Sequence, residues 1–312
     1  MREVRLRAFA KVNYALDVLG LRADGYHEVS TVMQSISLAD EVGLRRATGG
    51  FDLSLEPEEV ETGPQERNTT YLAWKALQRL TGKELPVEVT LRKEIPAEAG
   101  LGGGSADAAA VLAGLNELFC LGLRVDELRG IGAGIGADVP FCISGGTALG
   151  EGVGEILTPL PAPPAHLLVV AKPLRSVDTG KIYRAYDDAE TESMSSVEPV
   201  VSALRSGSLP ALAAAVGNDL APVTKALVPE VAALEHTLLA SGGLGTSMSG
   251  SGTAVYGIFD GERAAGTAKG TVDAPSIGVY EPVSHGAEIV RTGRSESRKW
   301  SNQPTLQGRD RF

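Results

Sequence analysis

The sequence predicts an α+β protein built from two domains, and three of its features support this prediction. Apolar and polar residues alternate from Val4 to Val12, a period-two pattern typical of a half-buried β-strand. Residues 86–92 form another candidate strand, which leads through a glycine-rich loop into an amphipathic helix. Four prolines between residues 159 and 164 interrupt the chain, and we place the domain boundary there. Strands and helices mixed in this order favour the α+β class.

The first half of the chain is predicted to contain three strands and three helices. The strands cover residues 4–12, 29–38 and 86–92, and the helices cover residues 69–80, 105–119 and 126–135. Asp24-Gly25 marks the turn that follows the first strand. Pro140 predicts an extended Val139, so Asp138 should lie in a loop or at the end of an element.

The second half of the chain is predicted to begin with a buried strand. The strands cover residues 166–172 and 254–259, and the helices cover residues 197–204, 209–216 and 229–239. We therefore assign residues 1–160 to an N-terminal domain and residues 165–291 to a C-terminal domain. Residues 292–312 are polar and basic without periodicity, which predicts a disordered tail.

Composition excludes several classes of protein. A net charge of -10 over 312 residues argues against a general nucleic-acid or membrane-surface binder. Lys11, Asn13 and Asp17 interrupt any signal-peptide core, and no stretch is long enough for a membrane helix. Cys120 and Cys142 fit a reducing cytoplasm and are expected to be buried packing residues. The four histidines have no zinc-ligand spacing, and the sequence leaves the oligomeric state open.

The stretch IPAEAGLGGGSADAA, residues 95–109, carries the strongest functional signal. Its glycines allow a ligand to approach the backbone, and free N–H groups at the start of the following helix favour an anion such as phosphate. Ser105 is the predicted N-cap of that helix, with Asp107 in its first turn. A tight turn alone is the other interpretation, because the loop matches neither the Walker A motif nor G-x-G-x-x-G.

The loop resembles the phosphate-binding motif of the GHMP small-molecule kinases, which include galactokinase and the homoserine, mevalonate and phosphomevalonate kinases. Further motifs occur in the order expected for this family: AKVN at residues 10–13, DGYHE at 24–28, GADVPF at 136–141, EGVGE at 151–155 and MSGSG at 248–252. DGYH and GADVP together resemble the members that phosphorylate a CDP-linked sugar alcohol in non-mevalonate isoprenoid synthesis. The resemblance extends from about residue 8 to about residue 289.

The resemblance implies a fold and a reaction. The N-terminal domain would be like ribosomal protein S5 domain 2, the C-terminal domain would be ferredoxin-like, and the active site would lie between them. ATP, with Mg²⁺, would phosphorylate the 2-hydroxyl group of CDP-linked methylerythritol, a small-molecule substrate. No nucleic-acid or membrane partner is implied.

The resemblance also implies site residues. Lys11 and Asp138 match the catalytic pair of the family. The ATP-binding residues would be Pro96, Ala97, Glu98, Ala99, Gly100, Leu101, Gly102, Gly103, Gly104, Ser105 and Ala106. The substrate-binding residues would be Asn13, Tyr26, His27, Asp138 and Tyr183, with Tyr26 and His27 at the cytidine and Tyr183 stacking from the second domain. The loop of residues 247–252 would pack against the phosphate region and help to close the site.

Plainer interpretations exist for the same residues. Without the resemblance, Lys11 would be a solvated strand lysine and Asp138 a turn aspartate. Ser105 could contact phosphate or a magnesium-bound water, or only cap its helix. Tyr14 stands where an aliphatic residue is usual, and Thr253 where proline is expected.

The motifs argue against two rival functions. A homoserine or mevalonate kinase would have no base to recognise, so DGYH argues against that activity. A non-catalytic nucleotide or sugar sensor would not need both Lys11 and Asp138.

Overall fold

The computed structural model of the chain describes residues 2–57, 64–189, 193 and 196–290. These residues form two β-sheets with helices packed against them, so the α+β prediction is confirmed. The predicted disordered tail, residues 292–312, lies outside the described residues.

The elements follow the chain in a mixed order. The strands are β1 (Glu3–Leu21), β2 (His27–Arg46), β3 (Phe51–Glu56), β4 (Val87–Arg92), β5 (Thr147–Glu151), β6 (Ile156–Pro159), β7 (Leu167–Lys172), β8 (Gly217–Asn218), β9 (Gly245–Met248), β10 (Val255–Phe259), β11 (Ser276–Tyr280) and β12 (Glu288–Val290). The helices are α1 (Thr69–Thr81), α2 (Gly103–Leu118), α3 (Val125–Ala133), α4 (Val139–Ser144), α5 (Thr179–Asp187), α6 (Val197–Ser206), α7 (Leu209–Ala215), α8 (Ala221–Leu227), α9 (Pro229–Ala240) and α10 (Glu262–Thr271).

The long hairpin of β1 and β2 organises the first sheet. The two strands pair antiparallel over almost their whole length, with irregularities between Phe9 and Lys11 and between Asn13 and Ala15. Such bulges redirect side chains and often lie beside functional sites. Near the first bulge, the Lys11 N–H donates to the carbonyl oxygen of Leu101 at 2.9 Å, which links β1 to the glycine loop.

The first sheet has the strand order β12-β1-β2-β4-β3. In addition, β5 pairs with β2, β6 pairs with β5, and β8 pairs with β1. Helix α2 packs on β1 and β2 and buries Val111, Leu112 and Leu115 completely. The sheet thereby holds the start of α2, which follows the glycine loop, next to the middle of β1.

The second sheet has the antiparallel order β11-β7-β10-β9. Its core contains Val169, Phe259 and Leu238, all fully buried, with α9 and α10 packed on the strands. Two segments from the second half of the chain nevertheless complete the first sheet, because β8 pairs with β1 at Leu16 and β12 pairs with β1 at Leu6. The division into residues 1–160 and 165–291 stays a prediction.

The start of α2 differs from the prediction. The helix begins at Gly103 with Gly102 as its N-cap in the left-handed conformation (φ 72°), so Ser105 lies within the first turn and does not cap. Glycine can turn the chain into a helix without a capping side chain, because it has no Cβ to oppose a positive φ. Asp107 consequently falls in the second turn, where it is buried.

Two smaller predictions were also wrong. Val139 is helical, because Pro140 occupies the first turn of α4, where a missing N–H costs no helical hydrogen bond. Asp138 directly precedes α4, as predicted for the end of an element. Cys142 is buried as expected, whereas Cys120 follows the last turn of α2 and is exposed.

Candidate active site

A cavity of about 1420 Å³ lies between the glycine loop, the β1–β2 turn and α5. Single small-molecule sites usually have volumes of roughly 300–1,000 Å³, so this cavity has room for two ligands. Every site residue predicted from the sequence lines it except Ala106. The side chain of Ala106 is buried, and its N–H donates to the Gly102 carbonyl at 2.9 Å, so it has no free group for a ligand.

The glycine loop is held in place by the loop of residues 247–252. The Ser249 hydroxyl donates to the Gly100 carbonyl at 2.9 Å, and the Ala254 N–H donates to the Ala99 carbonyl at 3.0 Å. A Cβ on Gly100, whose φ is 75°, would lie 2.0 Å from the Ser249 carbonyl oxygen, so only glycine fits. The predicted packing of this second loop on the phosphate region is therefore confirmed.

The first-turn N–H groups of α2 belong to residues that line the cavity. The first N–H groups of any helix have no acceptor within that helix, and the helix dipole adds positive potential at the same end. The backbone N–H groups of Gly103, Gly104 and Ser105 can thus donate to an anion, and no bulky side chain blocks its approach. This arrangement suits the phosphates of a nucleotide.

Lys11 and Asp138, the predicted catalytic pair, come together beside the glycine loop. The Lys11 Nζ lies 3.3 Å from the Asp138 Oδ2, and the Lys11 side chain is almost completely buried. About a third of the Asp138 side chain is exposed (33%), so its carboxylate is open to the cavity. A desolvated ammonium beside an accessible carboxylate can stabilise negative charge and accept a proton at the same point.

Asn13 connects Lys11 to the neighbouring loops. Its Oδ1 accepts from the Lys11 Nζ at 2.8 Å and from the Gly250 N–H at 2.9 Å, and its Nδ2 donates to the Thr31 hydroxyl at 2.7 Å. The Tyr256 hydroxyl donates to the Asn13 carbonyl at 2.9 Å. The side chain is 2% exposed and largely engaged with protein groups, which orients the Lys11 ammonium.

At the other end of the cavity, two of the three predicted cytidine-binding side chains contact each other. The rings of His27 and Tyr183 stack with centroids 4.7 Å apart. The Asp187 Oδ1 lies 2.7 Å from the His27 Nε2, so in the neutral ring the proton belongs on Nε2, where it is donated to the carboxylate. The other ring nitrogen, Nδ1, can then accept a hydrogen bond from a ligand. Burial raises the pKa of Tyr183 well above its usual value, as does the nearby Asp138 carboxylate, so the phenol stays neutral. Tyr26, by contrast, is 66% exposed at the rim.

A buried charged cluster lies below the glycine loop. Lys93 donates to the Oδ2 atoms of both Asp40 and Asp107, the latter at 2.6 Å. Asp40 also accepts the N–H groups of Glu94 and Ile95 at 2.6 and 2.8 Å, so the cluster links the segment entering the loop to the helix leaving it. Burial, opposed by the Lys93 ammonium and assisted by the Asp40 carboxylate, raises the pKa of Asp107 to about 7.

The described residues contain no group of three His, Cys, Asp or Glu side chains that could hold a metal ion. They also contain no helix long and apolar enough to cross a bilayer.

Comparisons with known proteins agree with this geometry. Residues 68–146 match the GHMP kinases N terminal domain, and residues 200–274 match the GHMP kinases C terminal domain. The protein named 4-diphosphocytidyl-2-C-methyl-D-erythritol kinase from Moorella thermoacetica is 45% identical over 270 residues, which cover 85% of this chain and 93% of that protein. The protein of the same name from Geobacter sp. is 42% identical and covers 88% of this chain and 95% of its own.

The chain belongs to this family of GHMP kinases. A crystal structure titled 4-(cytidine 5'-diphospho)-2C-methyl-D-erythritol kinase superimposes with a TM-score of 0.72 at 33% identity, covering 89% of this chain and 98% of that one. The predicted two-domain GHMP kinase fold is therefore confirmed.

Two departures from the family pattern have structural explanations. Tyr14 is fully buried, and its hydroxyl lies 3.0 Å from the His166 Nε2. The His166 Nδ1 lies 2.7 Å from the Pro164 carbonyl, which places the ring proton on Nδ1 and leaves Nε2 to accept. Thr253, in place of proline, donates its hydroxyl to the Arg175 carbonyl at 2.8 Å. Both polar groups are satisfied where an apolar residue was expected.

Sequence reasoning missed several residues of this GHMP kinase site. Three of them are Asp187, Asp40 and Lys93, whose hydrogen-bond partners are between 14 and 160 positions away in sequence. No local motif marks such pairs. Ser249 lay within a motif that was recognised, but its bond to Gly100 depends on how two distant loops meet.

Proposed function

We propose that this chain transfers the γ-phosphoryl group of ATP to the 2-hydroxyl group of 4-diphosphocytidyl-2-C-methyl-D-erythritol. The names of its relatives support the acceptor, and the kinase family supports ATP as the donor. The observation that carries the proposal is the placement of Lys11 and Asp138 within 3.3 Å of each other, between the glycine loop and the His27–Tyr183 stack.

In the proposed reaction, the acceptor hydroxyl oxygen attacks the γ-phosphorus, and the bond from that phosphorus to the ADP oxygen breaks. The hydroxyl proton moves to the Asp138 carboxylate, which also orients the hydroxyl. The Lys11 ammonium stabilises the charge that develops on the transferring group. Asn13 keeps Lys11 oriented, and it would lie near the reacting hydroxyl. Positioning and electrostatics supply most of the effect in phosphoryl transfer.

The glycine loop would bind the donor. The N–H groups of Gly103, Gly104 and Ser105 would hold the β- and γ-phosphates. Mg²⁺ usually keeps several waters and takes only one or two carboxylates besides substrate phosphates, so an ion carried by ATP would need few ligands from the protein. The Ser105 hydroxyl would hold it through a bound water, and the ion would neutralise phosphate charge.

The His27–Tyr183 end would bind the acceptor base. Stacking on aromatic rings and a hydrogen bond from the cytosine amino group to His27 Nδ1 would select cytosine, with Tyr26 closing over it from the rim. Uracil carries a carbonyl where cytosine has the amino group, so it would leave that acceptor unpaired.

A coupled assay of ADP release tests the proposal. Purified protein with ATP and Mg²⁺ should phosphorylate the CDP-linked acceptor and should turn over homoserine and mevalonate poorly. Preferred turnover of homoserine or mevalonate would contradict the proposed acceptor. Binding of ATP and CDP with no turnover of any acceptor would indicate a non-catalytic sensor. We also propose that the reaction takes place in the cytoplasm.

A further inference from the structure

The cations that line the cavity differ in whether they already have a partner. Lys11 pairs with Asp138, and Lys93 pairs with Asp40 and Asp107. Among the described cavity-lining residues, Arg67 and Arg184 are guanidinium groups that form no ion pair with a carboxylate. A cavity that takes two polyanionic ligands thus has two unpaired guanidinium groups available.

Arg67 and Arg184 lie in different parts of the cavity wall. Arg67 precedes Asn68, the N-cap of α1, and the next residue, Thr69, donates its hydroxyl to the Gly104 carbonyl at 2.6 Å. Arg67 therefore belongs with the glycine-loop end. Arg184 follows Tyr183 directly on α5, so it belongs with the end that carries the aromatic stack.

The Arg184 side chain lies along the cavity-lining start of α5. One of its terminal nitrogens, Nη1, is 3.3 Å from the point where a Cβ on Gly180 would be, so glycine leaves room for the guanidinium. The Asp178 Oδ1 is 3.3 Å from the same point, but this carboxylate is engaged as the N-cap, accepting the Lys181 N–H at 2.8 Å. Asp187, one turn further along α5, is engaged with His27.

We propose that Arg184 binds the diphosphate group of the acceptor and determines specificity for a nucleoside diphosphate over a monophosphate. This inference rests on the proposed function and adds a residue that the family motifs do not contain. Tyr183 and Arg184 both line the cavity from α5, so a nucleotide whose base stacks on Tyr183 would have the Arg184 guanidinium on the same wall. A guanidinium matches the oxygen geometry of phosphate with two parallel hydrogen bonds, which an ammonium cannot do.

The test compares the wild type with Arg184→Gln, Arg184→Lys and Lys181→Gln. Lys181→Gln is the matched control, because it removes a positive charge from the same helix at an exposed residue outside the cavity lining. Direct binding of CDP and of CMP is measured by calorimetry, and KM is measured for the acceptor and for ATP.

Arg184→Gln should weaken CDP binding roughly 10- to 100-fold and leave CMP binding much less affected, since charge-assisted hydrogen bonds to the second phosphate are lost. The KM for the acceptor should rise by the same factor, while kcat and the KM for ATP stay within about twofold. Arg184→Lys should recover part of the CDP affinity, and Lys181→Gln should behave as the wild type.

Unchanged CDP affinity in Arg184→Gln would overturn the proposal, as would a rise in the KM for ATP with no change for the acceptor. An equal loss of CDP and CMP affinity would also overturn it, because it would indicate a general effect on the helix. If the wild type itself fails to phosphorylate the CDP-linked acceptor, the proposed function fails instead.

Discussion

At the glycine-loop end of the cavity Lys11 and Asn13 are buried and hydrogen-bonded, whereas the α5 end carries exposed side chains beside the more buried His27–Tyr183 stack. Lys11 and Asn13 are 4% and 2% exposed, and the loop beside them is fixed by bonds from residues 249 and 254. Tyr26 and Arg184 are exposed at the other end. The structure thus prearranges the groups that we propose to act on the transferring phosphoryl, and it leaves the proposed acceptor end accessible to ligand.

This contrast has a chemical reason. Charge stabilisation in a transition state depends on dipoles and charges that need no reorganisation during the reaction, and burial provides that. Recognition of a base depends on contact area, which an exposed ring can supply once ligand covers it. Substitutions at the two ends should therefore change different kinetic constants.

The largest effect is expected at the proposed catalytic pair, Lys11 and Asp138. Asp138→Asn keeps the shape of the side chain but removes its basicity, so kcat should fall roughly 10²- to 10⁴-fold with ATP binding retained. Lys11→Ala should cause a similar fall, because the transferring group loses its neighbouring cation. Steady-state kinetics of both single variants and the double variant measure these effects.

The double variant should be little worse than the worse single variant, because groups that act together are non-additive. Fully multiplicative losses would mean that the two residues act independently. Near-wild-type kcat in Asp138→Asn would rule out proton transfer to this carboxylate.

The next largest effect is expected at the contact between the two loops. Gly100→Ala would put a Cβ 2.0 Å from the Ser249 carbonyl and displace the glycine loop. We expect kcat/KM for ATP to fall on the order of 10- to 100-fold, since displacements of about 1 Å can have effects of that size.

Gly122→Ala is the matched control for this variant. Gly122 has almost the same positive φ (74°), but nothing lies within 4 Å of its Cβ position. Both variants carry the backbone strain, so their difference isolates the collision with Ser249. Equal kinetics for the two variants would show that contact between the loops does not position the donor.

At the acceptor end, replacing the CDP-linked substrate by its UDP-linked analogue should cost on the order of 1–3 kcal/mol in kcat/KM, through weaker stacking and an unpaired polar group. The loss should appear mainly in KM for the acceptor, because in the proposal the base contacts His27 and Tyr183 and not Lys11 or Asp138. Competition between the two acceptors in one reaction measures the ratio directly. Equal turnover of both would remove base recognition by His27 and Tyr183 from the mechanism.

The smallest effect on activity is expected at Asp107, where stability should depend on pH. Its pKa is raised in the folded state to about 7, so the native state holds a proton that the unfolded chain has released. The stability contributed by this proton is present below pH of about 4 and is lost as the pH rises to about 7. Asp107→Asn removes the titration, so the Tm of the variant minus the Tm of the wild type should be higher at pH 8 than at pH 4.5.

Calorimetry at the two pH values measures this difference. Asp52→Asn, at an exposed carboxylate on β3, is the control and should show no comparable change. A Tm difference for Asp107→Asn that is independent of pH would mean that Asp107 stays ionised beside Lys93 throughout.

Much of this molecule could be predicted from its sequence. Local patterns identified α1 to within one residue at its end, and the strand-loop-helix unit around the glycines was found in its correct order. Those signals are local, because hydrophobic periodicity and glycine content depend on neighbouring residues. The motifs also predicted that Lys11 and Asp138 act as a pair, although the two residues are far apart in the chain.

Other features depended on contacts that no local pattern encodes. Ser105 satisfies every preference of an N-cap, yet Gly102 caps α2, because the loop is held by Ser249 and Ala254 from the second half of the chain. The return of β8 and β12 to the first sheet likewise reflects pairing across most of the sequence.

The sequence by itself determined the class of fold and the family, and it predicted phosphate binding by the glycine loop, since these signals depend on residue types at short spacing. Only the tertiary structure decided which charges are neutralised and which are free. Lys93 lies between two buried carboxylates, whereas Arg184 forms no ion pair among the described residues. That distinction depends on burial and on distances between side chains remote in sequence, and it separates the groups that hold the loop from those available to a ligand.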